Sequence, residues 1–322
     1  MKSRRAMRFT GIALVALGVQ SAPAPCQDYP SKPIRMIVGN PAGMGQDVEA
    51  RQFAAQLSAE FGQPIVVENR PGALGTLALE ALAKAPPDGY TIAFGAIGTL
   101  AVNPRLYERA ERELAPVSLV IRHPWLLYLH PSVPAKTLQE LIALAKAKPD
   151  TISYASTGIG SLQHLSGEWL RQLTGARLKH VPYGNTNWLT DVVAGHVDGA
   201  FYPLINLVEH ARSGKLRALA VANRNERTAQ LPDVPTFAEA GVPEFEAGAW
   251  AGLLAPIAAP KEIVQKLAAA SARAVHRPPF VEFTAKIGAK PVGSSPAEFE
   301  AFLQSERARW RKVIVDAGLK LE

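Results

Sequence analysis

The sequence predicts an α/β protein built as two lobes around a cleft, and two observations carry that reading. Short apolar runs alternate with amphipathic stretches almost from end to end, the pattern of helices packed on largely parallel sheets. A strand–glycine loop–helix unit also occurs twice, about 115 residues apart: "IRMIV" leads to Gly43 and Gly45, and "TISYAS" leads to Gly158 and Gly160. Ligands of α/β sheets sit outside the carboxyl ends of the strands, so two such loops facing each other make a cleft. No Gly/Ser-rich linker and no sequence repeat separates the halves.

The first 26 residues are expected to lie outside the fold. Lys2, Arg4, Arg5 and Arg8 precede the apolar run "FTGIALVALGV", and small residues follow it. This is the pattern of a cleavable secretory signal, and the run is too short for a membrane anchor. Cleavage after Cys26 is the preferred site; the Ser3-Arg4-Arg5 start is only a partial twin-arginine pattern. Removing four basic and no acidic residues lowers the formal charge from +7 to +3. The basic balance is then mostly a property of the leader and no argument for nucleic acid. Cys26 is the only cysteine, so the exported chain must be held by ordinary cores, which its length and 48% apolar composition permit. The histidines are too scattered for a local metal motif, no cofactor is implied, and the longest later apolar stretch, "WAGLLAPIAAP", is broken by glycine and proline.

In chain order the expected strands are "IRMIVG", "IVVEN", "YTIAFG", "WLLYLH", "TISYAS", "LKHVPY", "DGAFYP", "LRALAVA" and "AGLLAP". Each is a short apolar or β-branched run bounded by turn residues. The expected helices are "QDVEARQFAAQLSAEF", "LGTLALEALAKA", "TLQELIALAKAK", "LQHLSGEWLRQLTG", "LTDVVAGH" and "NLVEHARSGK". Two more, "KEIVQKLAAASARAV" and "PAEFEAFLQSERARWRKVIVDAG", close the chain.

A strand feeding glycines into a helix N-terminus is an anion-binding arrangement, because unpaired amides and the helix dipole converge there. The dinucleotide fingerprint is incomplete: Val48 stands where "GMGQDV" would need its third glycine, and the connection from Asn40 to Gly43 is looser than a tight Rossmann turn. "SGKLRA" lacks the first glycine and the hydroxyl residue of a P-loop, and no G-x-S-x-G elbow occurs. A purely structural reading, in which Gly43 and Gly45 only permit a sharp turn, stays open at this point.

In order and spacing, "YPSKPIRMIV", "PAGMGQD", "VENRPGALGT", "KAPPDGYTIAFG", "NPRLY", "HPSVPAKTLQELIALAKAKP", "YASTGIGS", "HVPY", "SGKLRALAV" and "LPDVPTFAEAGVPEFEA" resemble the tripartite tricarboxylate transporter substrate-binding proteins, the Bug-type solute receptors. The resemblance covers essentially the whole mature chain. It implies a type II periplasmic binding protein fold, with residues 27–125 plus 247–322 in lobe one and 126–246 in lobe two. It also implies a non-catalytic, monomeric periplasmic receptor that captures a small organic carboxylate for inner-membrane transporter subunits. A sensing receptor is the alternative role and an exported enzyme the minor one.

The family grips a ligand carboxylate with the first loop of each lobe, which transfers here to Asn40, Ala42, Gly43 and Met44, and to Ser156, Thr157, Gly158 and Ser161. His164 is expected to line the cleft, and Asp47 to cap the helix start rather than touch the anion. The departures concern the far end of the ligand. Family members often carry Gly and Thr where Met44 and Gln46 stand, "KGSAPAL" where "GNTNWL" (with Asn185, Asn187 and Trp188) stands, and an acid in place of Tyr202. Losing that acid disfavours an ammonium-bearing ligand, while Trp188 and Tyr202 offer a flat apolar wall. An aromatic carboxylate is the expected ligand.

Overall fold

The computed structural model describes residues 29–72, 75–184, 187–223 and 226–320. The expected signal segment 1–26 and Asn185 lie outside the described residues.

The first half of the molecule is a parallel sheet with an antiparallel insertion. Strands β1 (Ile34–Val38), β2 (Ile65–Asn69) and β3 (Thr91–Ala96) run parallel, with β1 between the other two. Helices α1 (Gly45–Phe61) and α2 (Thr76–Ala83) make the crossovers. A π-helical turn at Gly98–Val102 and α3 (Pro104–Glu113) lead into β4 (Leu114–Leu129), a strand of 16 residues.

β4 joins the halves. Leu114 to Pro124 pair antiparallel with β9 (Gly248–Pro256), which itself pairs with β3. From Trp125 onward the partners change: Trp125–Leu129 pair with β7 (Gly199–Pro203) on one side and β8 (Arg217–Ala222) on the other. The changeover falls at His123-Pro124-Trp125, where proline removes a ladder donor. The second half adds α4 (Leu138–Ala147), β5 (Ser153–Ser156), α5 (Leu162–Thr174), β6 (Lys179–Pro182), α6 (Trp188–Ala194) and α7 (Leu204–Arg212). β5 lies parallel between β6 and β7. Two α/β lobes therefore share crossing strands, which is the predicted fold class.

After β9 come α8 (Lys261–Val275), α9 (Pro278–Lys286), the short strand β10 (Lys290–Pro291) on β4, and α10 (Pro296–Asp316). α1, α8 and α9 cover one face of the first sheet, burying Phe53, Leu57, Leu267 and Phe280 against Met36, Phe94 and Leu253. α10 begins in a capping box: the Ser295 hydroxyl accepts from the Glu298 amide and the Glu298 carboxylate accepts from the Ser295 amide. Its far end then reaches across to the second lobe. Trp310 meets Trp169 of α5 edge-on at 5.5 Å, and Gln172 Nε2 donates to the Val313 carbonyl at 2.9 Å.

Several features were not foreseen from the sequence, among them the first eleven residues of β4, the π-helical turn, α9, β10 and the helical character of 104–113. β4 hides its first half because Pro116 and Pro124 break the alternation that marks a strand; the pairing with β9 shifts register just after Pro116, and Pro124 stands at the end of that pairing. No described helix is long and apolar enough to cross a membrane. No group of three metal-ligating side chains occurs among the described residues.

Candidate functional site

The first loop is built around a buried carboxylate. Asp47, 1% exposed, accepts from the Gly43 amide (2.8 Å), Arg51 Nε (3.0 Å) and Asn69 Nδ2 (2.7 Å). The same Asn69 amide donates to the Asn40 carbonyl at 2.9 Å. Burial pushes the Asp47 carboxyl upward, but Arg51, the Gly43 amide and Asn69 outweigh it and hold it down at about 2. Asp47 thus ties the loop to its own helix, as a cap one turn removed from the usual place.

That network takes the Gly43 amide away from any ligand. The amides that stay open belong to the first turn of α1: no side chain caps the helix at Met44, which leaves Gly45, Gln46 and Asp47 with outward N–H groups. The two glycines have different roles. Gly43 has φ +82, the left-handed region, and turns the chain. Gly45 lies inside the helix without a positive φ, and a Cβ there would meet nothing within 4 Å. Its lack of a side chain leaves open space above the helix start. Gly39 is constrained by packing, since a Cβ would lie 2.8 Å from Gly75 Cα.

The second loop is wired internally. The Ser156 hydroxyl, buried at the end of β5, accepts from the Gly158 amide (3.0 Å) and lies 2.6 Å from His180 Nε2. The Gly160 amide donates to His164 Nδ1 at 3.1 Å, and the two imidazoles stack 3.9 Å apart. Burial lowers the pKa of His164, against an opposing pull from Glu168; burial and the neighbouring His164 bring His180 down to about 4. Both rings are therefore neutral supports beneath the loop. Ser161 is the N-cap of α5, its oxygen accepting from the His164 amide at 3.3 Å, which leaves its hydrogen free to donate. Thr157, exposed, bonds to Gln163 Oε1.

A cavity of about 530 Å³ opens between the lobes. Asn40, Met44, Gly45, Gln46 and Glu49 form its first-lobe wall; Tyr202, Pro203 and Ile205 face them from the second lobe; His123 and Trp250 lie on the crossing strands beneath. A smaller space of about 190 Å³ continues past Asn40 and Gln46 toward Gly75 and Thr99. Gln46 Nε2 donates to the Phe94 carbonyl at 2.9 Å, which fixes its side chain between the two spaces.

Of the residues singled out from the sequence, the structure brings Asn40, Met44 and Tyr202 to this cavity. Ala42 and Gly43 stand on the exposed rim of the first loop. Ser156 and His164 are spent on the second loop's own architecture, and so is the Gly158 amide. Trp188 is not on the cavity wall. It opens α6 in the second lobe's core, 9% exposed, and packs behind Tyr202 with ring centres 4.5 Å apart. The reason is geometric: an indole at a helix start above β7 finds Leu204, Val192 and the Tyr202 face closer than the cleft. Sequence reasoning missed His180, Glu49, His123 and Trp250. Glu49 was legible as the residue one turn beyond Gly45 on α1. His123 was not, since the strand that carries it was unforeseen. Its Nε2 lies 3.1 Å from Glu49 Oε1, both side chains being mostly buried.

Comparison with known proteins now supplies a lineage for this geometry. Residues 49–319 match the model of the tripartite tricarboxylate transporter family receptor. BugT of Bordetella pertussis is 36% identical, with all of both chains covered. Among solved structures, a Rhodopseudomonas palustris protein with adipate is 34% identical with TM-score 0.75, over 90% of this chain and 99% of that one. MatC from the same organism, with bound malate, is 34% identical with TM-score 0.71, over 89% of this chain and all of the other. The periplasmic binding protein BugD is 31% identical with TM-score 0.72, over 91% of this chain and all of its own.

Proposed function

The chain belongs to the tripartite tricarboxylate transporter receptor family, and from that premise we propose that it is a periplasmic receptor. In this reading it closes around a small organic carboxylate and hands it to the transporter's membrane subunits. The observation that carries the proposal is the uncapped first turn of α1, whose Gly45 and Gln46 line a cavity between the lobes. A carboxylate suits the amide donors of that turn, and the helix dipole adds to them. Ser161 is not on the lining of this cavity; in this reading its hydroxyl, an N-cap oxygen with its hydrogen free, reaches the ligand only when the lobes close. The adipate and malate held by the two R. palustris relatives agree with an anionic ligand. Lobe boundaries at 125/126 and 246/247 are supported by the change of β4 partners after Pro124 and by the start of β9 at Gly248.

The finer reading is that the ligand carries a ring. Tyr202 presents a half-buried face to the cavity, backed by Trp188 and by Trp125 at 5.9 Å, and Trp250 lies beneath. Such a wall gains more from a flat apolar body than from a flexible polar one. The test is a thermal-melting screen over benzoate-type acids, aliphatic dicarboxylates, citrate and amino acids. A ligand bound only by the folded state adds about 2.7 kcal/mol at a hundredfold excess over its Kd, or roughly 5–10 °C for a chain of this size. Aromatic acids should shift the melt most, and Tyr202→Asp should weaken them. A larger shift with citrate or glutamate would overturn the ring and leave the carboxylate receptor standing.

A further inference from the structure

The cleft contains a charge that neither the fold nor the open amides require. Glu49 lies on α1 one turn beyond Gly45, and its carboxylate lines the same cavity as the helix start. At 1.5 Å of rise per residue, four residues separate the two points by about 6 Å along the helix. His123, on the crossing strand, holds one oxygen of Glu49 at 3.1 Å. The second oxygen has no hydrogen-bond partner among the described residues. None of the described residues lining the cavity is a lysine or arginine, and the imidazole there, His123, already faces Glu49, so a second anionic group would find little to compensate it.

We infer that Glu49, positioned by His123, makes this receptor select monocarboxylates that carry a neutral hydrogen-bond donor at their far end. This rests on the carboxylate reading above. With one carboxylate at the α1 amides, the rest of the ligand runs along the helix toward Glu49. A hydroxyl arriving there donates to the unpartnered oxygen in a charge-assisted bond. A second carboxylate arriving there meets a like charge at close range in a partly desolvated site and is repelled. The apolar surfaces of Tyr202, Trp250 and Ile205 give that second charge no compensation. The discrimination acts between ligands of one length that differ only at the distal group, and so does not depend on whether the body is a ring or a chain.

Calorimetry on the full mature protein with two matched triplets tests this: hexanoate, 6-hydroxyhexanoate and adipate, then benzoate, 4-hydroxybenzoate and benzene-1,4-dicarboxylate. The wild type should prefer the hydroxy acid in whichever triplet fits, and bind the dicarboxylate at least tenfold more weakly than the hydroxy acid. Glu49→Gln, which keeps size and an acceptor but removes the charge, should improve dicarboxylate binding by at least tenfold and narrow the hydroxy acid's advantage. A melting curve on the variant without ligand establishes that it is folded, and His123→Gln gives a second route to disturbing the same pair. If the dicarboxylates bind best in the wild type, or the ratio is the same in Glu49→Gln, the inference is overturned while the receptor reading stands. If no carboxylate binds in either protein, both fall together.

Discussion

The two loops that face the cleft look alike in sequence and are held in opposite ways. The first is fixed by charge: Asp47 clamps the Gly43 amide, Arg51 and Asn69, and nothing caps the helix that follows. The second is fixed by neutral groups: Ser156 and the stacked His164 and His180 hold Gly158 and Gly160, and Ser161 caps its helix. The first loop therefore has backbone donors to spare while the second has a hydroxyl. A strand–glycine–helix pattern does not by itself say which amides are free. That depends on where the nearest acceptor side chain sits, and in the first loop a carboxylate four residues downstream takes the tempting one.

Removing the clamp should have the largest effect. Asp47→Ala removes the acceptor of the Gly43 amide and one of the two acceptors of the Asn69 side-chain amide, at a cost of about 1–3 kcal/mol. It should also weaken carboxylate binding by roughly a hundredfold as the loop loses its shape. Denaturant melts and calorimetry read both, and a variant with unchanged midpoint and affinity would contradict the role given to Asp47.

Acid separates the loops more gently. His180 is held neutral in the fold at a pKa of about 4, below its ordinary 6.5. The unfolded chain takes up that proton first, so the contribution is complete above about pH 6.5 and is lost as pH falls toward 4. Asp47 has the other sign of group with a lowered value of about 2. Its contribution is complete above about pH 4 and is lost only below that. Following imidazole and amide resonances during an acid titration, the second loop should loosen first. Simultaneous loss of both loops would break the distinction.

The smallest perturbation is the most local. Gly45→Val adds a side chain in open space at a helix position of ordinary backbone geometry. It should cost well under about 1 kcal/mol of stability, yet crowd the open amides and reduce affinity by roughly tenfold. The equivalent change at Gly158 would be ambiguous, since φ +134 strains any side chain there and its amide is already engaged. Unaltered binding in Gly45→Val would move the carboxylate off α1.

Much of this was legible beforehand, because the elements that build the lobes obey simple periods. The nine strands expected from apolar runs are all present, and α1, α5 and α10 begin within a residue or two of their expected starts. The site was less legible, for reasons of range. Trp188 and Tyr202 are 14 residues apart in sequence, and only their packing decides that one faces the cleft and the other supports it. The Glu49–His123 pair joins positions brought together by a strand whose prolines conceal it. His180 lies in the quoted "HVPY", but its partnership with Ser156 depends on β5 and β6 being neighbours in the sheet.

The grip of α10 on α5 adds a mechanical constraint to this picture. α5, with 13 residues, is a rod of about 20 Å. One end of it carries Ser161 and the cleft loop, and the side of the rod rests on Trp310 and the Val313 carbonyl. A rod held near one end, at Trp169 and Gln172, works as a lever. If it pivots there, a tilt of about 10° swings its tip by about 3 Å, the difference between a hydroxyl in bonding contact and one out of reach. The last helix of the chain, remote from the ligand, would then serve as the fulcrum that sets how far the second jaw can travel.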